Sequence, residues 1–561
     1  MAPRRLAAVL VALCAHAAST GAQSPASNAP DLVLTGGRIF TADSARPWVQ
    51  ALAIQGDRIV AVGTSAEIQA LAAPSTRRIE LAGRVVIPGI NDAHDHLGWG
   101  PLGTPDAFSE SPMPDPAFAQ VADSVAAIAR RTPAGTWIYA SVGTTVLDDP
   151  AARRAALDRV APAHPVWLQG WTGHGTVMNT AALRIAGVAD TARDPVGGWY
   201  GRDQVGRIDG LLHGYAAWNA RRTIQAAQQD STLVRTLRGA GDEMVRFGIT
   251  SVQDMSGTFD PARAMRVIRA AKLPVRVRVI PMPATTSAGR LTGEWNDERQ
   301  RQRSTNIPVS GVKWVLDGTP VERLAVQRAA YADRAGHVGQ SYFPIDTIAA
   351  IVAEARASDE QLMVHVSGDS TAALVLSLMA RADNDSAWRR RRVRLEHGDG
   401  LAADLQPLAR RLGVVVVQNP SHLALPRIMG ARLGARTTAY GPLRSLVERG
   451  IPVALGSDGP RNPYLNILLA TIHPNNPAQA LTREQAVRAY TWGSAYAEHA
   501  EREKGTLAPG MLADLAVLSQ DIFTVAPDAL PATVSVLTLV GGKVVHDSGA
   551  LQAGARSRGA P

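Results

Sequence analysis

His94 and His96 close the apolar run of RVVIPGINDAHDHL, residues 84–97. Along an extended strand, side chains i and i+2 point to the same side, so both imidazoles face one point. Two neutral imidazoles converging at a strand end make half of a transition-metal site. Further apolar runs end on residues suited to the other half: His365 in QLMVHV, His397 in VRLEH and Asp458 in PVALGSD. Imidazole and carboxylate donors without thiolate suit Zn2+, with Mn2+, Fe2+ or Co2+ as alternatives, and one or two ions per chain. A carboxylate that binds a metal and touches its water can act as general base and pass the proton to a leaving group. Asp458 is therefore the candidate catalytic residue.

Lys313, inside GVKWVLDG, needs its own argument. The chain has only four lysines, Lys272, Lys313, Lys504 and Lys543, and otherwise uses arginine. A lysine amine buried in an apolar strand is costly and its pKa falls. The neutral amine can take up carbon dioxide as a carbamate, whose two oxygens can bridge two metals; arginine cannot. The alternative is an ordinary lysine reaching the mouth of a single-metal site. An isolated histidine is more often a satisfied core or loop residue, and His16, His164, His337, His499 and His546 are read so. The ordered set weighs more than any member, because chance rarely puts five such residues at strand ends.

The elements that must position these residues follow from the same rhythm. Eight apolar runs of strand length recur: RVVIPGIND, ITSVQDM (249–255), VRVRVIPM (275–282), GVKWVLDG (311–318), QLMVHV (361–366), VRLEH (393–397), GVVVVQ (413–418) and PVALGSD (452–458). Helical patterns lie between them, including 369–381, with Asp369 and Ser370 as N-cap candidates, and 482–499, opened by Thr482 with Glu484 and Gln485 behind it. Eight such units predict an α/β fold, a (β/α)8 TIM-like barrel over 89–500, with its site at the C-terminal strand ends. The stretch from about 100 to 240 exceeds one β-α step and predicts a large insertion after strand 1, with extra strands in TWIYASV and HPVWLQG. Residues 31–88 and 505–550 alternate short β-like runs with turns, and Gly56-Asp57 marks a hairpin. Neither end is long enough for a core of its own. The segments 23–88 and 501–561 are therefore expected to build one small β-sandwich from both termini.

Residues 1–22 carry Arg4 and Arg5, an apolar stretch from Leu6 to Ala18, and Thr20-Gly21-Ala22, the pattern of a secretory signal peptide. That predicts an exported chain, periplasmic or secreted, without stable membrane insertion once the segment is removed. Losing the two arginines lowers the net charge from +9 to +7. The sole cysteine, Cys14, lies in the same segment, so the mature chain has no disulfide, thiol nucleophile or thiolate ligand. No basic stripe interleaves with aromatics, which argues against a nucleic-acid partner. Arg389 to Arg392 with Arg394 reads as a solvated face.

At this point the residues resemble the amidohydrolase superfamily, and within it the amidohydrolase-3 group, which is YtcJ-like and includes N-substituted formamide deformylases. The matching strings are PGINDAHDH, GHGTVMNTAALRIAGV, GITSVQD, GVKWVLDGTP, VHVSGD, RLEHGD, GSDGP, GTLAPGMLADLAVL and VGGKVV, spread from about residue 31 to 547. The resemblance implies a metal-bearing barrel with a composite sandwich. It puts His94, His96, His365, His397 and Asp458 at ligand positions and Lys313 at that of a bridging lysine. His174 and Asn179 fall near substrate, although Asn179 could equally cap the helix of TAALRIAG. Gln418 and His422 fit a substrate-facing loop. Trp171, with Trp99, Trp199 and Trp314, fits a pocket wall or a core. Asp95 should point away from the metals.

The function these readings favour is hydrolysis of a C–N bond in a small-molecule amide, such as an N-acyl or N-formyl compound, through a metal-activated hydroxide. A cyclic-amide hydrolase, a deaminase or an esterase uses the same scaffold. The absence of a Glu close after His365, in VSGD, counts against the deaminase. A non-catalytic exported binding protein would not need Asp458. Self-association as a homo-oligomer stays open.

Overall fold

The structure is a computed structural model that describes residues 29–98, 115–302 and 307–551. The signal-peptide segment 1–22, Cys14, His16 and Trp99 lie outside the described residues.

All eight apolar runs become parallel strands. β1 (Ile90–Asp95), β2 (Ile249–Ser256) and β3 (Arg276–Pro281) form one sheet with β2 in the middle. β4 (Val312–Val315), β5 (Leu362–Val366), β6 (Arg394–His397), β7 (Val415–Gln418) and β8 (Val453–Leu455) form a second, in chain order. The two sheets approach each other at both margins. Val279 of β3 bridges Val309 in parallel, and the Asp458 N–H donates to the His94 carbonyl at 2.9 Å. The result is a TIM-like α/β fold. Strands buried on both faces read as continuous apolar runs, which is why these runs were legible without alternation.

Amphipathic helices cover the outer faces. Asp369–Ala382 turns Ala372, Val375, Leu376 and Met379 inward, beside Val364 of β5 and Leu395 of β6. Asp369 is its first helical residue rather than its cap, a position that Gly368 takes. The helix expected over 482–499 is interrupted. Thr482 and Gln485 do form a capping box on Arg483–Arg488, but a π-helical turn, Ala489–Gly493, precedes Ser494–Ala497. Gly493 lies so close to β8 that a Cβ there would meet the Val453 carbonyl at 2.2 Å. The wider turn accommodates that approach.

Between β1 and β2 stands a five-stranded mixed sheet that includes Ile138–Val142 and Val166–Gly170, the two extra strands expected there. The chain ends also meet. Val85–Pro88 pairs antiparallel with Leu515–Leu518 inside a six-stranded sheet. A four-stranded sheet, with the hairpin Ala51–Gln55 and Arg58–Gly63, lies beside it. Leu34, Leu52, Ile59, Val86, Leu515 and Leu537 fill one apolar cluster between them. Among the described residues, no helix is long and apolar enough to cross a membrane.

Candidate metal centre

The C-terminal ends of β1, β5, β6 and β8 bring the candidate ligands together. Asp458 lies 3.5 Å from His96 Nε2 and 3.8 Å from His94 Nε2 through Oδ1, and 3.8 Å from His397 Nε2 through Oδ2. One ligand atom from each of His94, His397 and Asp458 fits within 4.8 Å of the others. The His365 ring sits 4.2 Å from that of His397 and 4.8 Å from that of His174. His397 and Asp458 both take positive φ, +69° and +39°. Left-handed backbone at non-glycine residues is costly and clusters where function demands a particular side-chain direction.

The ring nitrogens are prepared for a cation. His94 Nδ1 bonds Glu396 Oε2 at 2.6 Å and His96 Nδ1 bonds the Met255 carbonyl at 3.0 Å. With the proton held on Nδ1, each Nε2 keeps its lone pair turned toward Asp458. His365 Nε2 and His397 Nδ1 are buried and have no hydrogen-bond partner. Buried polar atoms are rarely left so; a metal would satisfy His365 Nε2, whereas His397 faces Asp458 through its other nitrogen, Nε2. Burial lowers the pKa of all four rings, His96 to about 4. They are therefore neutral donors at ordinary pH. Burial by itself would raise Asp458, but His94, His96, His422 and Lys313 outweigh it and hold its carboxyl far below the usual range. Lys313 on β4 is buried, and loss of water brings its amine down to about 8. Carbamate formation needs the neutral amine, and this shift raises its share at pH 7 to roughly a tenth, against well under a hundredth for an ordinary lysine.

A polar chain missed by the sequence reading supports His94 from below. Glu396 is fully buried and takes two bonds from Arg394, at 2.6 and 3.1 Å, besides the one to His94. Arg394 also donates to Gln253 and to the Ala93 carbonyl. Gln253 donates to Asn91 Oδ1, Asn91 to Glu498, and Glu498 pairs with Lys504 at 2.7 Å. Burial raises the Glu396 pKa, yet Arg394 and His94 more than reverse this, so the carboxylate stays charged. Arg394 is thus not part of a solvated arginine face: it has no exposure at all and pays for its burial with Glu396. The signal was present in RLEH, where charged residues two apart share one side of a buried strand and so need partners.

The expected substrate-side residues divide. His422 lies at the site, with Nε2 3.8 Å from Asp458 Oδ2 and its ring stacked on His397 at 5.4 Å. His174 also lies there, bonded through Nδ1 to Tyr342 OH at 2.9 Å and with its pKa lowered to about 3 by burial. The side-chain hydrogen bonds of Asn179 go to the mixed sheet and a helix start. Its Oδ1 accepts from Val166 N and Ala182 N at 2.9 and 3.0 Å, and its Nδ2 donates to the His164 carbonyl, so it caps Thr180–Ile185. Gln418 ends β7 instead of lying in a substrate-facing loop; it is fully buried and donates to the His397 carbonyl, holding that residue in its left-handed turn. Trp171 is half-buried against a cluster that includes Val321, Tyr331 and Tyr440. Trp314 is core, and Trp199 stacks on His213 at 4.9 Å. Asp95 turns away from the centre to Arg461, at 2.6 Å, as expected. His213, Tyr342 and the buried Glu322, which bonds Thr172 and Thr319, complete the surroundings. Tyr342 and Glu322 sit in the long connection after β4, whose sequence carries no periodicity to flag them.

A family profile described as "Amidohydrolase family" matches residues 77–546. The N-substituted formamide deformylase of Arthrobacter pascens is 26% identical over 555 residues, covering 92% of this chain and 98% of that protein. The putative amidohydrolase YtcJ of Bacillus subtilis is 25% identical over 539 residues, covering 91% and 98%. Among solved structures, an uncharacterized metal-dependent hydrolase from Pyrococcus horikoshii superposes with a TM-score of 0.68 at 20% identity, covering 89% of this chain and 99% of that one.

Proposed function

This chain belongs to the amidohydrolase family, and from that premise we propose that it is a metal-dependent hydrolase cleaving the C–N bond of an N-acyl or N-formyl amide. The observation that carries this reading is the convergence of His94, His96, His397 and Asp458, each offering an unprotonated donor to one point. His94, His96, His365, His397 and Asp458 would hold the ion, with Lys313 as a carbamate joining a second. Imidazole and carboxylate donors fit Zn2+. When bound, a divalent cation supplies an acidified water and a polarised substrate carbonyl.

The residues supply the rest. Asp458, ionised and 19% exposed in its side chain, can accept a proton on one oxygen and return it to the leaving amine. His174, neutral and fixed by Tyr342, can offer a hydrogen bond from beside His365. His422 stands at the exposed rim. The likeness to the N-substituted formamide deformylase of Arthrobacter pascens favours an N-formyl or N-acyl substrate over a cyclic amide. Ester cleavage follows the same proton path. The approach of the two parallel sheets at both margins supports a closed (β/α)8 barrel, with residues of the mixed sheet walling the mouth. We also propose export directed by residues 1–22.

Metal content by mass spectrometry, beside a Lys313→Ala variant and with a panel of N-formyl and N-acyl amines, tests the reading. Two ions per chain falling to one, with turnover of at least one amide, is the expected result. No metal after supplementation, or an intact metal content with no hydrolysis across the panel, overturns it.

A further inference from the structure

A second cleft, of about 820 Å3, opens at the opposite end of the strands, below the N-terminal ends of β3 and β4 and beside the C-terminal hairpin of Ser535–Val540 and Lys543–Asp547. Six cationic side chains line it, Arg269, Lys272, Arg276, Arg278, Lys504 and Lys543, against one carboxylate, Glu498. Two of the six are already neutralised: Arg276 by a forked pair with Asp514, and Lys504 by Glu498. Three of the chain's four lysines meet here, in a sequence that elsewhere uses arginine.

Arg278 is the distinguishing group. Its guanidinium is buried yet bonds only neutral partners, Ser310 at 3.0 Å and Gln361 at 3.0 Å. Its Nη1 is buried and has no hydrogen-bond partner. Glu498 offsets part of its charge from a distance, but the unmet N–H at Nη1 still leaves room for one more acceptor, and a carboxylate oxygen suits a buried guanidinium. The remaining wall is apolar, with Ile268, Leu273, Val275, Ile307, Val540 and Val545. Lys272 and Lys543 stand exposed at the rim, where long flexible ammonium groups can close over a charged head.

We propose that this cleft binds a small carboxylate with an apolar body, its head toward Arg278 and the rim lysines and its body on the apolar wall. The site lies at the far end of the strands from the metal centre and does not depend on the hydrolase reading.

Titration calorimetry of octanoate into the full-length protein tests this, with inorganic phosphate and octanol as comparison arms. Each arm is run with and without EDTA, because a carboxylate at the metal centre would be lost with the metal. One saturable octanoate site that survives EDTA is expected, with phosphate and octanol at least roughly tenfold weaker, since each lacks half of the recognition. Lys272→Gln combined with Lys543→Gln, both exposed, should weaken octanoate by roughly fivefold or more while the fold stays intact. Arg278→Lys should weaken it further by losing the free Nη1 donor. The proposal fails on any of three results: no saturable binding below about 10 mM, binding abolished by EDTA, or binding unchanged in the rim variant. Phosphate binding as tightly as octanoate would remove the apolar body from the assignment.

Discussion

Glu396→Gln removes one charge from the support beneath His94 while keeping the side-chain shape. The wild-type carboxylate accepts three bonds, two from Arg394 at 2.6 and 3.1 Å and one from His94 Nδ1 at 2.6 Å, and both Glu396 and Arg394 have no exposure. A glutamine can satisfy only part of this set, and its amide N–H groups would face other donors. Arg394 is then a buried cation without a counter-charge, a loss of about 3–5 kcal/mol in unfolding free energy. His94 also loses the acceptor that fixes its tautomer, which should weaken metal binding roughly 10- to 100-fold. Urea unfolding of EDTA-treated protein reads the first effect, and competition with a chelator of known affinity reads the second. The double variant Arg394→Leu/Glu396→Leu separates them. It removes the stranded cation and should be more stable than Glu396→Gln by at least about 1 kcal/mol, even after Gln253 loses a partner. Its metal affinity should stay low, because His94 still lacks its acceptor. A Glu396→Gln protein within about 1 kcal/mol of wild type, or a double variant that regains full metal affinity, would refute the reasoning.

Asp458→Asn, assayed at saturating metal, should lower kcat by roughly 10²- to 10⁴-fold, the usual worth of a positioned proton carrier. Unchanged turnover would remove the shuttle role. Asn179→Ala should cost about 1–3 kcal/mol of stability, because it strands Val166 N, Ala182 N and the His164 carbonyl, with KM unchanged; a KM effect without a stability loss would restore a substrate role. The metal-free protein should lose stability as pH falls. Burial holds His96 at about 4, His174 at about 3 and His213 at about 4. A folded pKa below the unfolded value near 6.5 means that the unfolded chain binds the protons first. The full stability contribution is therefore present above about pH 6.5 and is lost as pH drops toward the folded values, by up to about 1.4 kcal/mol per pH unit for each ring. Urea midpoints that stay flat between pH 7 and 5 would count against neutral buried imidazoles.

Those outcomes also bear on what a sequence can disclose. The eight strands were legible because a strand buried on both faces must be apolar along its length, and Val415–Gln418 or Leu362–Val366 can hardly be anything else. His94 and His96 were legible because i and i+2 share a side. The gathering of candidate donors at strand ends was legible because parallel strands deliver all their C-termini to one place. Side chains that act across the fold were not. Asn91, Gln253, Arg394 and Glu396 come from three strands and find each other only after the sheets form, over separations of 141 to 302 residues at the Arg394–Gln253 and Glu396–His94 contacts. Tyr342 reaches His174 across 168 residues from a stretch without regular structure. Asn179 looked ambiguous because a capping side chain and a substrate ligand are the same residue type at the same kind of position. Only the count of its satisfied hydrogen bonds separates them.

The buried polar chain also explains why the centre and the fold should fail together. A row of apolar side chains in place of Asn91, Gln253, Arg394 and Glu396 would fill the interior at lower electrostatic cost. It would leave the His94 ring free to flip and to carry its proton on either nitrogen. The ion pair therefore trades stability for orientation: it fixes which nitrogen faces Asp458 before any ion arrives. Gln418 does the same for the backbone of His397, and Met255 for the ring of His96. Three of the candidate donors are thus held by groups on other strands, so an ion entering the site would meet donors already aimed and lose little entropy in ordering them.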